Sequence, residues 1–307
     1  MVTSDMLTRC AGFNQENAWA LLLALARRAG SGTPVVHDTA VRLREDGSLE
    51  EDAERGWIVA RPSSKRGWSS IEGVTAEDDV ARLLDIYMPL CVGGGSDALT
   101  IAHLAQTLDG RVAIASGHSQ FITGDEDLVH SHRLRALCDV VIVGRRTVEQ
   151  DDPLLTTRRC KGRSPIRAVI DPDRRLRDSY RIFQPDATPS LLFCKSSTDD
   201  LSVRHGAAEV VALAPQDGAL GVSSIVDELR RRGHRRIYIE GGGATVSRFL
   251  EQGALTRLHV TVAPTIFGSG RPSFILPEIA SLSHARKLTS RTFALGSDVL
   301  FDCEILR

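Results

Sequence analysis

The sequence lacks the features that mark several large classes of protein. Its 307 residues carry 38 basic and 39 acidic side chains, and this balance argues against a strongly basic nucleic-acid binder. Aromatic residues make up only 5% of the chain, but hydrophobic residues make up 42%, which excludes a disordered or collagen-like chain. No apolar run approaches the roughly 20 residues of a membrane span, and the longest, 18–26, has no basic start typical of a signal peptide. We expect a globular protein that binds neither nucleic acid nor membrane.

Cysteine is scarce and scattered, with six residues in the whole chain. No two of them form a C-x-x-C pair, so neither a zinc ribbon nor a thioredoxin-type motif is present. His130 and His132 lie two apart on a predicted helix and face different ways, which argues against a metal site there. We therefore predict no metal site, reduced cysteines and a cytoplasmic location.

Lysine is also rare, with 4 lysines against 34 arginines. Charge is divided unevenly along the chain. Residues 1–100 hold 10 basic and 15 acidic groups, whereas residues 101–307 hold 28 and 24. Guanidinium groups pair with phosphate, so the second part is the better candidate for binding an anionic ligand.

The pattern of apolar residues also changes near residue 100. Residues 1–100 contain two helical patterns, at 14–29 and 76–86, and are interpreted as a mainly helical N-terminal extension of unknown role. From residue 101 onward, short β-branched runs alternate with helical patterns, and 292–306 resembles a hairpin. The strand candidates are 111–115, 140–143, 168–171, 190–193, 209–213, 236–240 and 259–263. The helix candidates are 125–138, 223–232 and 244–252. This alternation predicts an α/β domain at 101–307 with a largely parallel sheet and an antiparallel edge.

Two glycine-containing turns follow predicted strands, where α/β sheets bind ligands. Strand 140–143 runs into Gly144, Arg145, Arg146 and Thr147, in which glycine allows close approach and the guanidinium groups can pair with phosphate. Strand 236–240 runs into three glycines and then a helix, whose free N–H groups suit pyrophosphate. This second turn matches neither the G-x-G-x-x-G fingerprint nor the Walker motif. A ligand-free tight turn and a solvated arginine pair are the alternatives.

A third polar segment, 151–158, lies between these turns. The carboxylates of Asp151 and Asp152 could accept hydrogen bonds from a polyhydroxy ligand. Arg158, and Arg135 on the predicted helix, could each hold a phosphate through two hydrogen bonds. Because Asp and Pro favour turns, a helix cap or turn without a ligand is the alternative.

Six short motifs then occur in one order along the second part of the chain. They are AQTLDGRVA at 105–113, GHSQFITG at 117–124, HRLRA at 132–136, GRRT at 144–147, DDPLLTTR at 151–158 and EGG at 240–242. In this order and spacing they resemble the reductase domain of the bacterial riboflavin-biosynthesis protein RibD. The resemblance implies a dihydrofolate-reductase-like fold, a mixed and mostly parallel sheet flanked by helices. It also implies a cytoplasmic pyrimidine reductase that uses NADPH and forms a homodimer.

The resemblance also implies a reaction and a set of site residues. The family opens the ribose of 5-amino-6-(5-phosphoribosylamino)uracil, a small phosphorylated molecule, and reduces C1′ to give a ribityl chain. The residues implied or favoured for the cofactor are Ala105, Phe121, Gly144, Arg145, Arg146, Thr147, Asp151, Gly242, Gly243, Ala244 and Thr245. Those implied for the substrate are Ser119, Arg135, Leu155, Arg158 and Glu240. Ring opening needs proton transfer, for which Asp109, Asp151 and Glu240 are the candidate catalytic groups.

The sequence departs from the family pattern in ways that keep alternatives open. Thr107, Phe121 and Gly243 replace a usual serine, a common tryptophan and a common proline. Residues 1–100 contain neither H-x-E nor P-C-x-x-C, so the zinc deaminase half of RibD is missing. One alternative is a reductase of another pyrimidine-like or pterin-like heterocycle in specialised metabolism. Another is a non-catalytic sensor that binds NADPH.

Overall fold

Apolar residues at helical and strand spacing form the cores of two units, Met1–Ala98 and Leu99–Arg307. The structure is a computed structural model and describes residues 13–71, 77–92, 99–117, 122–197 and 202–305. Within the described residues, no helix is both long enough and apolar enough to cross a membrane.

The first unit contains two helices that bury apolar faces. Helix α1, Gln15–Gly30, begins where the side chain of Asn14 accepts a hydrogen bond from the backbone N–H of Asn17 at 3.0 Å. Helix α2, Asp78–Val92, continues beyond the 76–86 pattern and includes Pro89 in its last turn. Proline there removes one backbone hydrogen bond, but the burial of most residues from 83 to 92 outweighs that loss.

A small antiparallel sheet in the same unit was not predicted. Its four strands in the described residues are β1 Thr39–Leu43, β2 Leu49–Glu51, β3 Ile58–Ala60 and β4 Trp68–Ser70, in the order β2-β1-β3-β4. Three of these strands have only three residues, too few to display an alternating pattern. The segment is therefore helical, as expected, but it also contains a sheet.

The second unit is built on a large sheet. Its strands are β5 Leu99–Thr107, β6 Arg111–Ile114, β7 Val140–Gly144, β8 Ile166–Ile170, β9 Ser190–Lys195, β10 Arg204–His205, β11 Ala208–Leu213, β12 Arg236–Glu240, β13 Arg257–Ala263, β14 Gly270–Pro272, β15 Thr289–Leu295 and β16 Asp298–Glu304. Among the described residues, ten of them form one sheet in the order β10-β11-β9-β8-β7-β12-β5-β13-β16-β15. All neighbours from β11 to β13 run parallel, and the pairs at both edges run antiparallel. The predicted mostly parallel sheet with an antiparallel hairpin edge is confirmed.

Helices cover the sheet and form the core with it. They are α3 Asp125–Leu137, α4 Arg145–Asp151, α5 Val222–Arg231 and α6 Gly243–Glu251. In α5, Val222, Ile225, Val226 and Leu229 recur at helical spacing and are buried, so one face of the helix packs into the main core. Burying each such side chain contributes roughly 1.5–3 kcal/mol.

Two features of this unit differ from the prediction. The predicted strand at 111–115 exists as β6, but it pairs with β14 in a separate two-stranded sheet. Strand β5 was not predicted, although it lies in the middle of the large sheet between β12 and β13. Because β5, β7 and β12 run parallel, their carboxyl ends meet at one edge of the sheet, where ligands bind in folds of this kind.

Candidate active site

A cavity of about 710 Å³ lies at the carboxyl ends of β5, β7 and β12. Its size is within the range of pockets that hold small molecules and cofactors. The predicted site residues that line it are Ala105, Gly144, Arg145, Arg146, Thr147, Asp151, Arg158, Glu240, Gly242, Gly243, Ala244 and Thr245. Ser119 and Phe121 lie outside the described residues. The structure therefore brings most of the predicted residues to one place.

The turn between β12 and α6 presents backbone N–H groups to this cavity. Gly242, the N-cap of α6, has a φ of +45° and no side chain that caps the helix. A Cβ at position 243 would lie 2.3 Å from the carbonyl oxygen of Ser273, so only glycine fits there. Helix α6 begins without a side-chain cap, and its start, at the positive end of the helix dipole, suits a pyrophosphate group.

The turn between β7 and α4 carries two arginines with different surroundings. Arg145 lies 2.6 Å from Glu149 and 3.9 Å from Asp171, so its charge is already compensated. Arg146 is exposed at the cavity and has no ion pair or hydrogen bond with any residue that the structure describes. Arg146 is therefore the guanidinium group that is better placed for an anionic ligand.

A buried ion pair joins α3 to the end of β12. The Nε of Arg135 donates to Glu240 Oε2 at 2.7 Å, its Nη2 donates to Oε1, and its Nη1 donates to the carbonyl oxygen of Thr156 at 2.9 Å. Burial alone would lower the pKa of Arg135, but the attraction of Glu240 outweighs it and raises the pKa. The predicted role of Arg135 as a phosphate ligand does not match this placement. Each of its three nitrogens already donates a hydrogen bond within the protein, and it holds Glu240 at the cavity wall.

Arg158, unlike the buried Arg135, is exposed at the cavity. Its side chain is exposed and lines the cavity, and its backbone N–H donates to His132 Nδ1 at 3.0 Å. Burial of part of the side chain and repulsion from Arg135 lower the pKa of Arg158, so a bound anion would relieve unfavourable charge.

The loop before Arg158 holds two non-glycine residues in the left-handed region. They are Asp152, with a φ of 39°, and Leu155, with a φ of 54°. Leu155 is buried behind the cavity wall and does not line the cavity, which differs from its predicted substrate contact. Such backbone strain persists only where the surrounding structure holds the loop in place. The loop that leads to Arg158 is therefore held in one conformation.

The three candidate carboxylates are placed differently. Asp109 lies outside the cavity wall and accepts hydrogen bonds from Thr107 Oγ1 at 2.5 Å and from the backbone N–H of Gly268 at 2.7 Å. The hydrogen bond from Thr107 is the main cause that lowers the pKa of Asp109, so this residue stabilises a turn rather than transferring protons. Asp151 lines the cavity, where burial and then repulsion from Glu240 raise its pKa.

Sequence reasoning missed a histidine at the cavity. His103 in β5 is 3% exposed, and its Nε2 lies 3.1 Å from Asp127 Oδ1. Its Nδ1 lies 3.2 Å from the hydroxyl of Ser131, and all three residues line the cavity. The signal was obscured because β5 was not recognised and because Asp127 and Ser131 lie on α3, far along the chain. Arg271 on β14 also lines the cavity and was not predicted.

Comparisons with known proteins place this site in context. Residues 98–301 match the family described as the RibD C-terminal domain. The chain is 31% identical over 210 residues to the 2,5-diamino-6-ribosylamino-4(3H)-pyrimidinone 5′-phosphate reductase of Methanothermobacter thermautotrophicus, covering 66% of this chain and 95% of that protein. It is 30% identical over 168 residues to riboflavin biosynthesis protein RibD of Aquifex aeolicus, covering 54% of this chain and 46% of that protein. The chain thus spans nearly all of the first relative and about half of the second.

Solved structures share the fold. RibD of Acinetobacter baumannii has a TM-score of 0.60 at 22% identity, covering 75% of this chain and 64% of that one. A diaminohydroxyphosphoribosylaminopyrimidine deaminase/5-amino-6-(5-phosphoribosylamino)uracil reductase of Thermotoga maritima has a TM-score of 0.58 at 24% identity, covering 74% and 62%. At these identities the likeness concerns the fold, a mixed and mostly parallel sheet flanked by helices.

Proposed function

The chain belongs to the RibD C-terminal domain family, and we propose that it is an NADPH-dependent reductase of a phosphoribosylamino-pyrimidine. The proposed reaction opens the ribose ring and reduces C1′ to give a ribityl chain. One observation carries the proposal: a single cavity combines a glycine turn at a helix start with two exposed guanidinium groups, Arg146 and Arg158. A reduced dinucleotide and a sugar phosphate need these anion sites together.

The residues on the cofactor side fit NADPH. The β12–α6 turn would hold the pyrophosphate through backbone N–H groups at the start of α6, which no side chain caps. Arg146 would contact the 2′-phosphate, whereas Arg145 is paired with Glu149 and would contribute less. When bound, this cofactor supplies the hydride, so the protein's task is to bind and orient both molecules.

The residues on the other side fit a phosphorylated sugar. Arg158 would hold the phosphate, so that binding energy far from the reacting carbon positions C1′. Arg135 donates two hydrogen bonds to Glu240 and holds it at the cavity wall, where it would accept hydrogen bonds from the substrate. Asp151 lines the same cavity and would accept hydrogen bonds from the cofactor.

Two pyrimidines are candidates, and they differ at one ring position. The Methanothermobacter relative is named for a 2,5-diaminopyrimidinone, and the Thermotoga structure for an aminouracil. The test is oxidation of NADPH by the full chain with each phosphoribosylamino-pyrimidine, with products identified by mass spectrometry. We expect one of them to gain two hydrogens and retain its phosphate. Turnover of only another heterocycle would favour a specialised reductase, and tight NADPH binding without oxidation would favour a sensor.

The cytoplasmic location and the homodimer stay predictions. Light scattering during size-exclusion chromatography measures the second directly. We expect a mass near twice that of the 33.4 kDa chain.

A further inference from the structure

A histidine–carboxylate pair opens onto the cavity beside the predicted substrate groups. We propose that His103 supplies, through the hydroxyl of Ser131, the proton that the ring oxygen of the ribose needs when the ring opens. The inference rests on the proposed reductase function and assigns a residue pair to its proton-transfer step. His103 and Asp127 are almost fully buried, whereas Ser131 is partly exposed to the cavity.

Asp127 fixes the orientation of the imidazole. Its Oδ1 lies 3.1 Å from His103 Nε2 and accepts a hydrogen bond from Thr261 Oγ1 at 2.6 Å, and its Oδ2 accepts one from Thr123 Oγ1 at 2.8 Å. Burial would raise the pKa of Asp127, but the His103 imidazole and the hydrogen bond from Thr261 outweigh it and hold the pKa well below its usual range. A carboxylate at this place keeps the proton on Nε2, so any exchangeable second proton of the ring lies on Nδ1.

The position of Nδ1 gives that second proton a path. It lies 3.2 Å from the Ser131 hydroxyl, which can accept the proton from Nδ1 and donate its own into the cavity. The Tyr238 hydroxyl lies 3.5 Å from the same nitrogen, but Tyr238 is fully buried and does not line the cavity. Ser131 is thus the exit toward a bound ligand.

The carboxylates fit this role less well. Asp109 is engaged in its turn, and both carboxyl oxygens of Glu240 accept hydrogen bonds from Arg135. Asp151 lines the cavity, but it makes no side-chain hydrogen bond to a second proton-carrying group in the described residues. The buried pair is the one with a fixed orientation and an internal charge partner.

The step balances in atoms and electrons. The bond between C1′ and the ring oxygen breaks, and its electron pair goes to that oxygen, which takes the proton passed from His103 through Ser131. The lone pair of the nitrogen on C1′ forms a C=N bond. C1′ then accepts the hydride of the reduced nicotinamide, and the C=N electrons return to nitrogen. The substrate gains one proton and one hydride, and water reprotonates the imidazole.

Several titratable groups face His103, and each must be considered in a pH test. Helix α3 contributes Asp127 and His130, whose ring centroid lies 4.9 Å from that of His103. Strand β12 contributes Tyr238, and β13 contributes His259, the Cα partner of His103 in the sheet register. Burial lowers the pKa of His130 and His259 and raises that of Tyr238, so these three stay neutral near pH 7.

His259 provides a matched control. It is fully buried, as His103 nearly is, and its Nε2 lies 3.1 Å from Asp302 Oδ1, the same distance as in the His103–Asp127 pair. It lies on the neighbouring strand but does not line the cavity. His259→Asn should therefore share the structural consequences of His103→Asn without the loss of a proton donor.

The experiment compares steady-state turnover of the full-length His103→Asn and His259→Asn variants from pH 6 to 9. Because a positioned acid contributes about 10²–10⁴-fold, we expect His103→Asn to lower kcat by at least about 100-fold. Its dissociation constant for NADPH should stay within about 3-fold, and the alkaline decline of kcat should disappear. His259→Asn should keep both kcat and the alkaline decline. Unchanged kcat in His103→Asn, or an equal loss in both variants, would overturn the inference.

A second set of variants guards against misfolding at position 103. Ser131→Ala should lower kcat by about 10-fold or more, and Ser131→Thr, which keeps a hydroxyl, should recover most of it. Asp151→Asn should leave the alkaline decline in place. If Asp151→Asn alone removes that decline, Asp151 is the donor and the inference is wrong. The unchanged chain is assayed first, so failure of the proposed function appears there as absent turnover, before any variant is compared.

Discussion

The ion pair between Arg135 and Glu240 yields the sharpest prediction about stability. Their side chains are 9% and 18% exposed, and Arg135 makes three hydrogen bonds. In Arg135→Met, Glu240 loses its ion-pair partner at a place where its side chain is largely buried. Breaking such a pair by removing one side destabilises a protein by about 3–5 kcal/mol. For a unit of this size, that loss corresponds to a melting temperature roughly 6–20 °C lower.

The double variant separates the charge from the packing. Glu240→Gln alone leaves Arg135 unpaired, whereas Arg135→Met with Glu240→Gln leaves no buried charge behind. We therefore expect the loss in the double variant to be smaller than the sum of the single losses by about 0.5–3 kcal/mol. If the double variant loses as much unfolding free energy as the two single variants together, the two side chains do not form the ion pair seen in the structure.

The assay can distinguish the two units. All three tryptophans, Trp19, Trp57 and Trp68, lie in the first unit, so their emission reports its unfolding. Far-ultraviolet circular dichroism reports the unfolding of both units. We expect Arg135→Met to lower the melting temperature seen by circular dichroism and to leave the melting temperature seen by tryptophan emission unchanged. An Arg135→Met chain that melts within about 2 °C of the unchanged chain but binds the phosphorylated substrate weakly would refute the reasoning. Arg135 would then be a phosphate ligand.

Three further predictions concern the anion sites and the buried histidines. Arg158→Ala should raise KM for the phosphorylated substrate by about 10- to 100-fold and leave the NADPH dissociation constant nearly unchanged, and equal losses would contradict its assignment. Arg146→Ala should weaken NADPH binding by about 10-fold or more in a fluorescence titration while NADH binding hardly changes, and Arg145→Ala should have the smaller effect. Burial lowers the pKa of His130 and His259 below the ordinary 6.5, so below that pH the unfolded chain takes up protons that the folded chain does not. Their contribution to stability is present above pH 6.5 and is lost as the pH falls, and a melting temperature that stays flat from pH 7.5 to 5.5 would contradict this.

The parts of the fold that sequence could predict are those with a local signal. The helical pattern at 14–29 forms α1, and the runs at Val140–Gly144 and Arg236–Glu240 form buried parallel strands. Strand β5 escaped because His103 and Gln106 interrupt its apolar run. A buried histidine is acceptable there only because Asp127, on a helix more than twenty residues away, pairs with it.

The residues of the candidate site also divide into those with a local sequence signal and those whose placement depends on distant parts of the chain. Residues of the glycine turns and the exposed arginines, such as Gly243 and Arg146, carry a signal in the sequence, and the structure places them in the cavity wall. Arg135 carried the same signal, but its donors point to Glu240, 105 residues along the chain. Pairing at that separation depends on the sheet order, which local patterns do not encode. Asp109 lies outside the cavity lining for a related reason, because a carboxylate at a strand end also suits a turn.

The most direct test of the central claim is a single-turnover measurement on the full chain, saturated with NADPH and mixed with each phosphoribosylamino-pyrimidine. If the cavity is the active site of a pyrimidine reductase, nicotinamide absorbance will fall in step with a product that is two hydrogens heavier and still phosphorylated. Arg158→Ala will slow the reaction at low substrate concentration and recover at high concentration. NADPH that stays bound and unoxidised with both substrates would contradict the account.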